Sequence, residues 1–338
     1  MAATVKDANQ NYVNILENIY QNATANVHID YMESERCPIK RRVRQGDPIS
    51  PKLFTAAIEM IFRKAELKVK HGLNIDGETL TNLRFADDVA LVTEDTKSME
   101  EQLSNLNKIS LDSGLKMHKG KTKYMINFES HENIQIDKEK IEEVPNYKYL
   151  GQTTYLKETT KEEVTCRIRA GWNCFGKKRE TFLDDKMPIF LKRQVYDQCI
   201  LPTMTYGCQT WSMTKAVGLK LRVAQRAMER KMLGLKLTDK ISCKEIRNKT
   251  QVSDIGQYIA KQKWKWAGLV ARLQDNRWTL RVTEWQPRNG KRSRGRQARR
   301  WRDDIVRTMG NMWTRETKDK EEWRRGAEGL ILQWMDGA

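Results

Sequence analysis

"NLRFADDVALVTED", Asn82 to Asp95, sets two adjacent carboxylates, Asp87 and Asp88, between apolar residues on both sides. Leu80 to Phe85 and Val89 to Thr93 are each of strand length and mostly apolar, so Ala86-Asp87-Asp88 is expected to form the tight connection of a hairpin. The apolar flanks predict that this hairpin is buried, with both acids at its tip. Asp is a common turn residue because it bonds its own backbone locally. Here, however, the usual Gly or Asn of a tight turn is missing. Two like charges at the edge of a core cost free energy unless a cation neutralises them, and hard divalent ions prefer such oxygen ligands. Metal binding explains the placement better than turn formation does.

Upstream, Val13, Leu16, Ile19, Tyr20 and Ala23 recur at helical spacing and predict a helix over Asn11 to Ala23. Val27 to Met32 and Cys37 to Val43 alternate around Glu33-Ser34-Glu35, the pattern of a hairpin. In "RQGDPISPKLFTAAIEMIFRKA", Arg44 to Ala65, Ser50 is placed to cap a helix and Pro51 to occupy its first turn. Leu53, Phe54, Ala57, Ile58, Ile61, Phe62 and Ala65 follow on one face. A Gly-containing loop before a helix N-terminus brings backbone amides and a positive dipole end toward a phosphate or base. Downstream, a helix is expected from about Thr96 to Ser113, ahead of the basic loop "HKGKTK", His118 to Lys123.

Four segments in this order, "RQGDPISP", "RFADD", "GLKMHKGKTKYM" and "YKYLG", resemble consecutive motifs of the reverse transcriptases of non-LTR retrotransposons. The resemblance covers about Asn11 to Tyr155, and the rest of the chain is similar to the helical, Trp-rich C-terminal part of the same polyproteins. It implies that Asp87 and Asp88 are the metal-binding pair of a polymerase palm, holding magnesium ions about 3.5–4 Å apart. Gln45, Gly46, Asp47, Pro48, Phe85 and Ala86 would line the template and incoming-nucleotide side. Lys121 is similar to a lysine that protonates the leaving pyrophosphate; a solvated lysine among Lys116, Lys119 and Lys123 is the open alternative. Tyr149, Leu150 and Gly151 resemble the primer-grip turn, with ordinary strand tyrosines at 147 and 149 as the alternative. The implied partners are an RNA template, a DNA primer and deoxynucleoside triphosphates.

The family also carries a further catalytic aspartate on a strand upstream of the QGDP loop, and the expectation is that this chain starts after it. Asp30, in "VHIDYM", lies in the hairpin that precedes the loop. Alternation puts it on one face with His28 and Met32, away from Val27, Ile29 and Tyr31, which argues against a ligand role. Fingers and an N-terminal endonuclease are expected to be missing as well, and Arg42 stands where the family often has Gly. Losing one metal-ligating carboxylate removes several kcal/mol of transition-state stabilisation. The expectation is a polymerase-derived chain that is inactive alone and associates through an incomplete palm core. The alternative is a non-enzymatic RNA- or DNA-binding remnant.

Charge agrees with a polyanionic partner. The 338 residues carry 62 Lys and Arg against 44 Asp and Glu, a net +18, and phosphate neutralisation with counterion release supplies much of nucleic-acid affinity. Six cysteines without a CxxC pair, and no run of eighteen apolar residues, point to reduced thiols packed in an intracellular protein, nuclear or cytoplasmic and not secreted, with no membrane partner. All ten tryptophans lie from Trp172 onward, whereas the clearest strand patterns end by Tyr155. Helical periodicity marks Lys186 to Arg193, Lys220 to Leu233 and Tyr258 to Leu273. Trp211, Trp264, Trp266 and Trp278 at such spacing read as core more readily than as base-stacking platforms.

Arg288 to Arg302, "RNGKRSRGRQARRWR", holds Arg288, Lys291, Arg292, Arg294, Arg296, Arg299, Arg300 and Arg302 and no acid. So many like charges are suited to lie along a phosphate backbone, or to act as a nuclear-import signal. Asp303 and Asp304 read as acids at a helix N-terminus. The fold class expected is α+β: a partial palm of antiparallel hairpins with packed helices over 1–155, a helical thumb-like region over 156–250 and a Trp-rich basic region over 251–338.

Overall fold

A computed structural model of the chain describes residues 10–21, 23–39, 46–67, 71–128, 132–156, 159–274, 277–285 and 300–336. They form two compact units, Met1–Pro145 and Asn146–Ala338. Helices mix with small sheets in the α+β manner. Among the described residues the strands pair only two by two, in separate sheets, where one hairpin sheet was expected.

The first unit opens with α1 (Gln10–Gln21), an amphipathic helix that buries none of its residues. Strands β1 (Thr24–Ala25) and β4 (Cys37–Pro38) pair around an inner hairpin of β2 (His28–Ile29) and β3 (Met32–Glu33). The reversal therefore falls at Asp30 and Tyr31 instead of Glu33-Ser34-Glu35. Asp30 takes φ 53°, a left-handed conformation that Asp tolerates better than most residues. Ser34 closes the outer loop, exchanging bonds with the backbone of Val27. The Val43 end of the expected second strand lies outside the described residues.

Helix α2 (Ser50–Ala65) is found where predicted, starting one residue earlier and with Pro51 in its first turn. Ser50, however, is the first helical residue and does not cap. Asp47 does the local work: its Oδ1 accepts the Ile49 N–H at 2.9 Å and its carbonyl accepts the Ser50 N–H. The helix buries Met60, Ile61, Phe62 and Ala65, and each large side chain removed from water stabilises the fold by roughly 1.5–3 kcal/mol. A hairpin that periodicity did not reveal follows, β5 (Leu73–Ile75) with β6 (Glu78–Leu80), turning at Asp76-Gly77. Next come β7 (Asn82–Phe85) and β8 (Asp88–Leu91), then α3 (Thr96–Asp112), whose cap Asp95 accepts the Ser98 N–H and hydroxyl. Val89 and Leu91 pack against Ile61, Phe62, Ala65 and Leu106, so β8 lies on α2 and α3.

A second small core gathers Leu103, Tyr124, Ile134, Ile136 and Ile141. It joins α3 to β9 (Lys123–Tyr124), β10 (Gln135–Ile136), β11 (Glu139–Lys140) and β12 (Glu142–Glu143). The β9–β12 pair is parallel, against the all-antiparallel expectation.

The second unit begins with the hairpin of β13 (Asn146–Tyr149) and β14 (Gln152–Tyr155) and is helical from there. Its helices are α4 (Thr159–Lys177), α5 (Arg179–Leu183), α6 (Ile189–Val195), α7 (Leu201–Met204), α8 (Lys215–Met232), α9 (Cys243–Thr250), α10 (Ile255–Arg272), α11 (Trp278–Glu284), α12 (Asp303–Met309), α13 (Trp313–Glu316) and α14 (Lys320–Asp336). Pro188 holds α6 to a later start than Lys186. A π-helical turn at Tyr196–Ile200 links α6 to α7 just before Pro202, whose missing N–H disturbs the ordinary ladder.

One core packs Phe182, Tyr196, Ile200, Met204, Trp211 and Met228 with their neighbours; another packs Trp264, Ile305, Trp313, Trp323 and Leu330. Trp264 and Trp323 stack with centroids 4.1 Å apart, and each indole N–H donates to the other residue's carbonyl. Gly268 and Gly326 make the room, since a Cβ at either would approach the Trp323 or Trp264 ring within 2.7 Å. Trp211 and Trp264 are thus core residues. Of the cysteines, Cys174, Cys199 and Cys208 pack into the first of these cores, where burial pushes the Cys208 thiol up to about 12. Cys37, Cys166 and Cys243 are exposed, contrary to a packing role for all six. Among the described residues, no helix is long and apolar enough to cross a membrane.

Candidate nucleic-acid interface

In the first unit, β7 and β8 pair Asn82 with Leu91 and Phe85 with Asp88. The connection is therefore the two residues Ala86 and Asp87, and Asp88 is already the first residue of a strand. Ala86 takes φ 53°, a conformation costly for a residue with a Cβ and the kind of strain that collects at functional turns. Alternation gives the hairpin two unlike faces. Arg84, Val89 and Leu91 share the face toward α2, where Arg84 bonds Glu59 at 2.7 Å and lies 4.7 Å from the centre of the Phe62 ring. Those contacts hold the Glu59 carboxyl below its usual range, the Arg63 hydrogen bond contributing most and Arg84 adding to it.

Leu83, Phe85 and Asp88 share the other face, and it is open: Phe85 is 63% exposed and both acids are exposed. The hairpin is half-buried on one side and open on the other, which corrects the reading of its apolar flanks. Asp87 and Asp88 have no side-chain hydrogen bond or ion pair among the described residues. Nor do three His, Cys, Asp or Glu side chains come together anywhere among those residues to hold a metal. The pair thus offers two carboxylates to a hard cation, and the described residues bring no third carboxylate, imidazole or thiol to them.

The QGDP loop is described from Gly46 on; Gln45 lies outside the described residues. Gly46 takes φ 86°, and Asp47 and the exposed Pro48 lead into α2. Lys121 is exposed in a turn after α3, its N–H bonded to the His118 carbonyl. Its neighbours are committed locally, Lys119 to Asp137 and Glu139 at 3.2 and 3.1 Å, and Lys123 to Glu142.

In the second unit, Tyr149, Leu150 and Gly151 sit at the β13–β14 reversal, with Leu150 at φ 48° and Gly151 at φ 78°. Both turn carbonyls are held. The Tyr206 hydroxyl donates to the Leu150 carbonyl at 2.9 Å, and the Arg167 guanidinium donates to that of Gly151. Arg167 lies 4.6 Å from the centre of the Tyr206 ring and bonds Glu163 at 2.6 Å. Glu163, 1% exposed, also accepts the Thr153 N–H. Sequence reasoning missed this clamp; the Glu163 and Arg167 pair at i, i+4 was its only local signal.

Of the basic segment, Arg288, Lys291, Arg292, Arg294, Arg296 and Arg299 lie outside the described residues. Arg302 is paired with Glu284, and the Arg300 N–H bonds Asp303. Asp303 and Asp304 do begin α12, and Asp304 is buried against Lys263 at 2.9 Å.

Residues 4–154 match the family model described as reverse transcriptase (RNA-dependent DNA polymerase). A transposon-derived protein of Caenorhabditis elegans is 31% identical over 271 residues, 74% of this chain and 96% of that protein. The retrovirus-related Pol polyprotein from the type-1 retrotransposable element R2 of Nasonia vitripennis is 27% identical over 147 residues, 39% of this chain and 14% of the polyprotein.

Proposed function

The chain belongs to the reverse transcriptases of non-LTR retrotransposons, and from that premise we propose that it grips an RNA template and DNA primer as the palm and thumb of an RNA-directed DNA polymerase. In this reading residues 1–155 form the end of the fingers and the palm, 156–250 a thumb-like region, and 251–338 a basic region that tracks phosphates. The observation that carries it is the pair Asp87 and Asp88, solvent-facing at the tip of a hairpin and without an internal cation.

Enzymes of this family use a divalent metal, which when bound supplies charge stabilisation at the reacting phosphate. Asp87 and Asp88 would hold magnesium here, yet two carboxylates cover only part of a two-metal donor set. Gly46 to Pro48 would line the template and incoming-nucleotide side ahead of α2. Lys121 would supply a proton or a charge to the leaving group, and Tyr149 to Gly151 would position the primer end. Because the described residues bring no third carboxylate to the acid pair, we propose that the chain alone binds template and primer without extending it. That observation also favours the second reading, a nucleic-acid-binding protein with no polymerase step.

Primer extension on an RNA template with magnesium and deoxynucleoside triphosphates tests both, with Asp87→Ala alongside. Retained binding without extension is expected. Extension that vanishes in Asp87→Ala would overturn the inactive reading and imply a third ligand.

A further inference from the structure

Beside the Tyr149–Gly151 turn, the second unit holds an open cavity of about 440 Å³. Its wall includes Gln152 on β14, Tyr206, Gln209 in the turn after α7, and Tyr258 and Gln262 on α10. In a chain with 31% charged residues and a net +18, none of the side chains lining this cavity carries a formal charge. Such a wall is ill suited to a phosphate, which seeks Lys, Arg or a row of amide N–H groups.

Much of the hydrogen-bonding capacity left in the wall belongs to the glutamines, with the Tyr258 hydroxyl beside them. Thr205 and Thr210 donate their hydroxyls to the carbonyls of Leu201 and Gly207, and Tyr206 donates to Leu150. The side-chain amides of Gln152, Gln209 and Gln262 make no hydrogen bond among the described residues. Each offers a donor pair and an acceptor. Gly207, at φ 73°, leaves room for the Gln152 amide, whose oxygen would lie 3.2 Å from a Cβ added there. The Gln209 carbonyl is held by the Trp301 indole N–H at 2.6 Å.

We propose that this cavity takes an unpaired nucleobase, read on its edge by the three amides and packed on its face by tyrosine. A base is planar, uncharged and rich in donors and acceptors, and single-stranded recognition uses amide side chains with aromatic faces. The inference rests on the proposed nucleic-acid function but asks more of it: contact with bases, by residues other than those of the acid hairpin. A bound strand and a free nucleoside both present such a base, and the test separates these sources.

The full chain is titrated with a labelled single-stranded RNA and with an abasic ribose-phosphate strand of equal length and charge, for wild type and for Gln209→Leu/Gln262→Leu. Wild type is expected to prefer RNA about 10-fold. The variant should lose most of that preference while its abasic affinity, salt slope and tryptophan fluorescence stay unchanged. An unchanged preference in the variant overturns the pocket and leaves the binding reading intact. Should wild type bind neither strand, the binding reading fails, and the pocket is decided by 2-aminopurine riboside. A fluorescence change in wild type that is absent in the variant then identifies a free nucleoside site, and no change in either overturns the proposal.

Discussion

The acids of the two units meet opposite fates. Asp87 and Asp88 stand exposed at a hairpin tip with no ion pair among the described residues, whereas Glu229 and Asp304 are 0% and 1% exposed against Arg226 and Lys263. Burial pushes the Glu229 carboxyl up, and Arg226 and the Thr250 hydroxyl pull the other way. A charge buried without a partner costs several kcal/mol, so the acids of the second unit must bring their own cations. Two unit charges about 4 Å apart in water interact by only ~1 kcal/mol, so an exposed pair can wait for a cation from outside. Exposure, more than acidity, separates a candidate ligand from a structural acid.

The comparison is most easily broken at Lys263 and Asp304. Asp304→Ala takes the counter-charge from the buried Lys263 ammonium and is expected to cost about 3–5 kcal/mol, read as a lowered urea midpoint by tryptophan fluorescence. That signal reports the second unit alone, because no tryptophan precedes Trp172. A loss below about 1 kcal/mol would show that the buried acid is no more committed than the exposed ones. Gly268→Ala tests the same core without touching a charge. A Cβ there meets Trp323 at 2.4 Å, and overpacking should cost about 1–3 kcal/mol in the same assay.

Asp95 sharpens the contrast inside the first unit, as an exposed acid with a structural task. The Ser98 hydroxyl, then its N–H, hold the Asp95 carboxyl below its usual range. A lowered carboxyl contributes stability above its unfolded pKa of about 4 and loses it as pH falls through the folded value. Asp95→Ala should therefore cost about 1 kcal/mol at pH 7, with the gap from wild type closing at more acidic pH in circular-dichroism melts. Asp87→Asn should change stability least, within about 0.5 kcal/mol. A larger loss in the same melts would mean that the tip acids hold the fold.

Legibility followed the range of the interactions involved. Helix α2 was readable to within one residue at its start, because its apolar stripe and Pro51 are local signals. The β7–β8 hairpin was readable as a hairpin, but its burial was not: Leu83 and Phe85 look like core residues in the sequence, and only packing shows that Arg84, Val89 and Leu91 take the covered face. Asp76-Gly77 carried a strong turn signal that periodicity masked. The clamp on Leu150 and Gly151 joins residues up to 56 positions apart, and nothing local in Tyr206 announces it. The three unbonded glutamines come from three elements and are likewise invisible one at a time.

The Trp264 and Trp323 stack has a consequence for how this chain can change. Each indole uses the other residue's carbonyl, and each ring fills the space that Gly268 or Gly326 leaves open. Enlarging a glycine while both rings remain creates a clash, and shrinking a ring while both glycines remain opens a void. Single substitutions at these four positions therefore lead downhill in stability, and a route to a differently packed but equally stable core requires coordinated replacements. The quartet is a barrier to gradual drift in a chain whose exposed hairpins carry no such constraint.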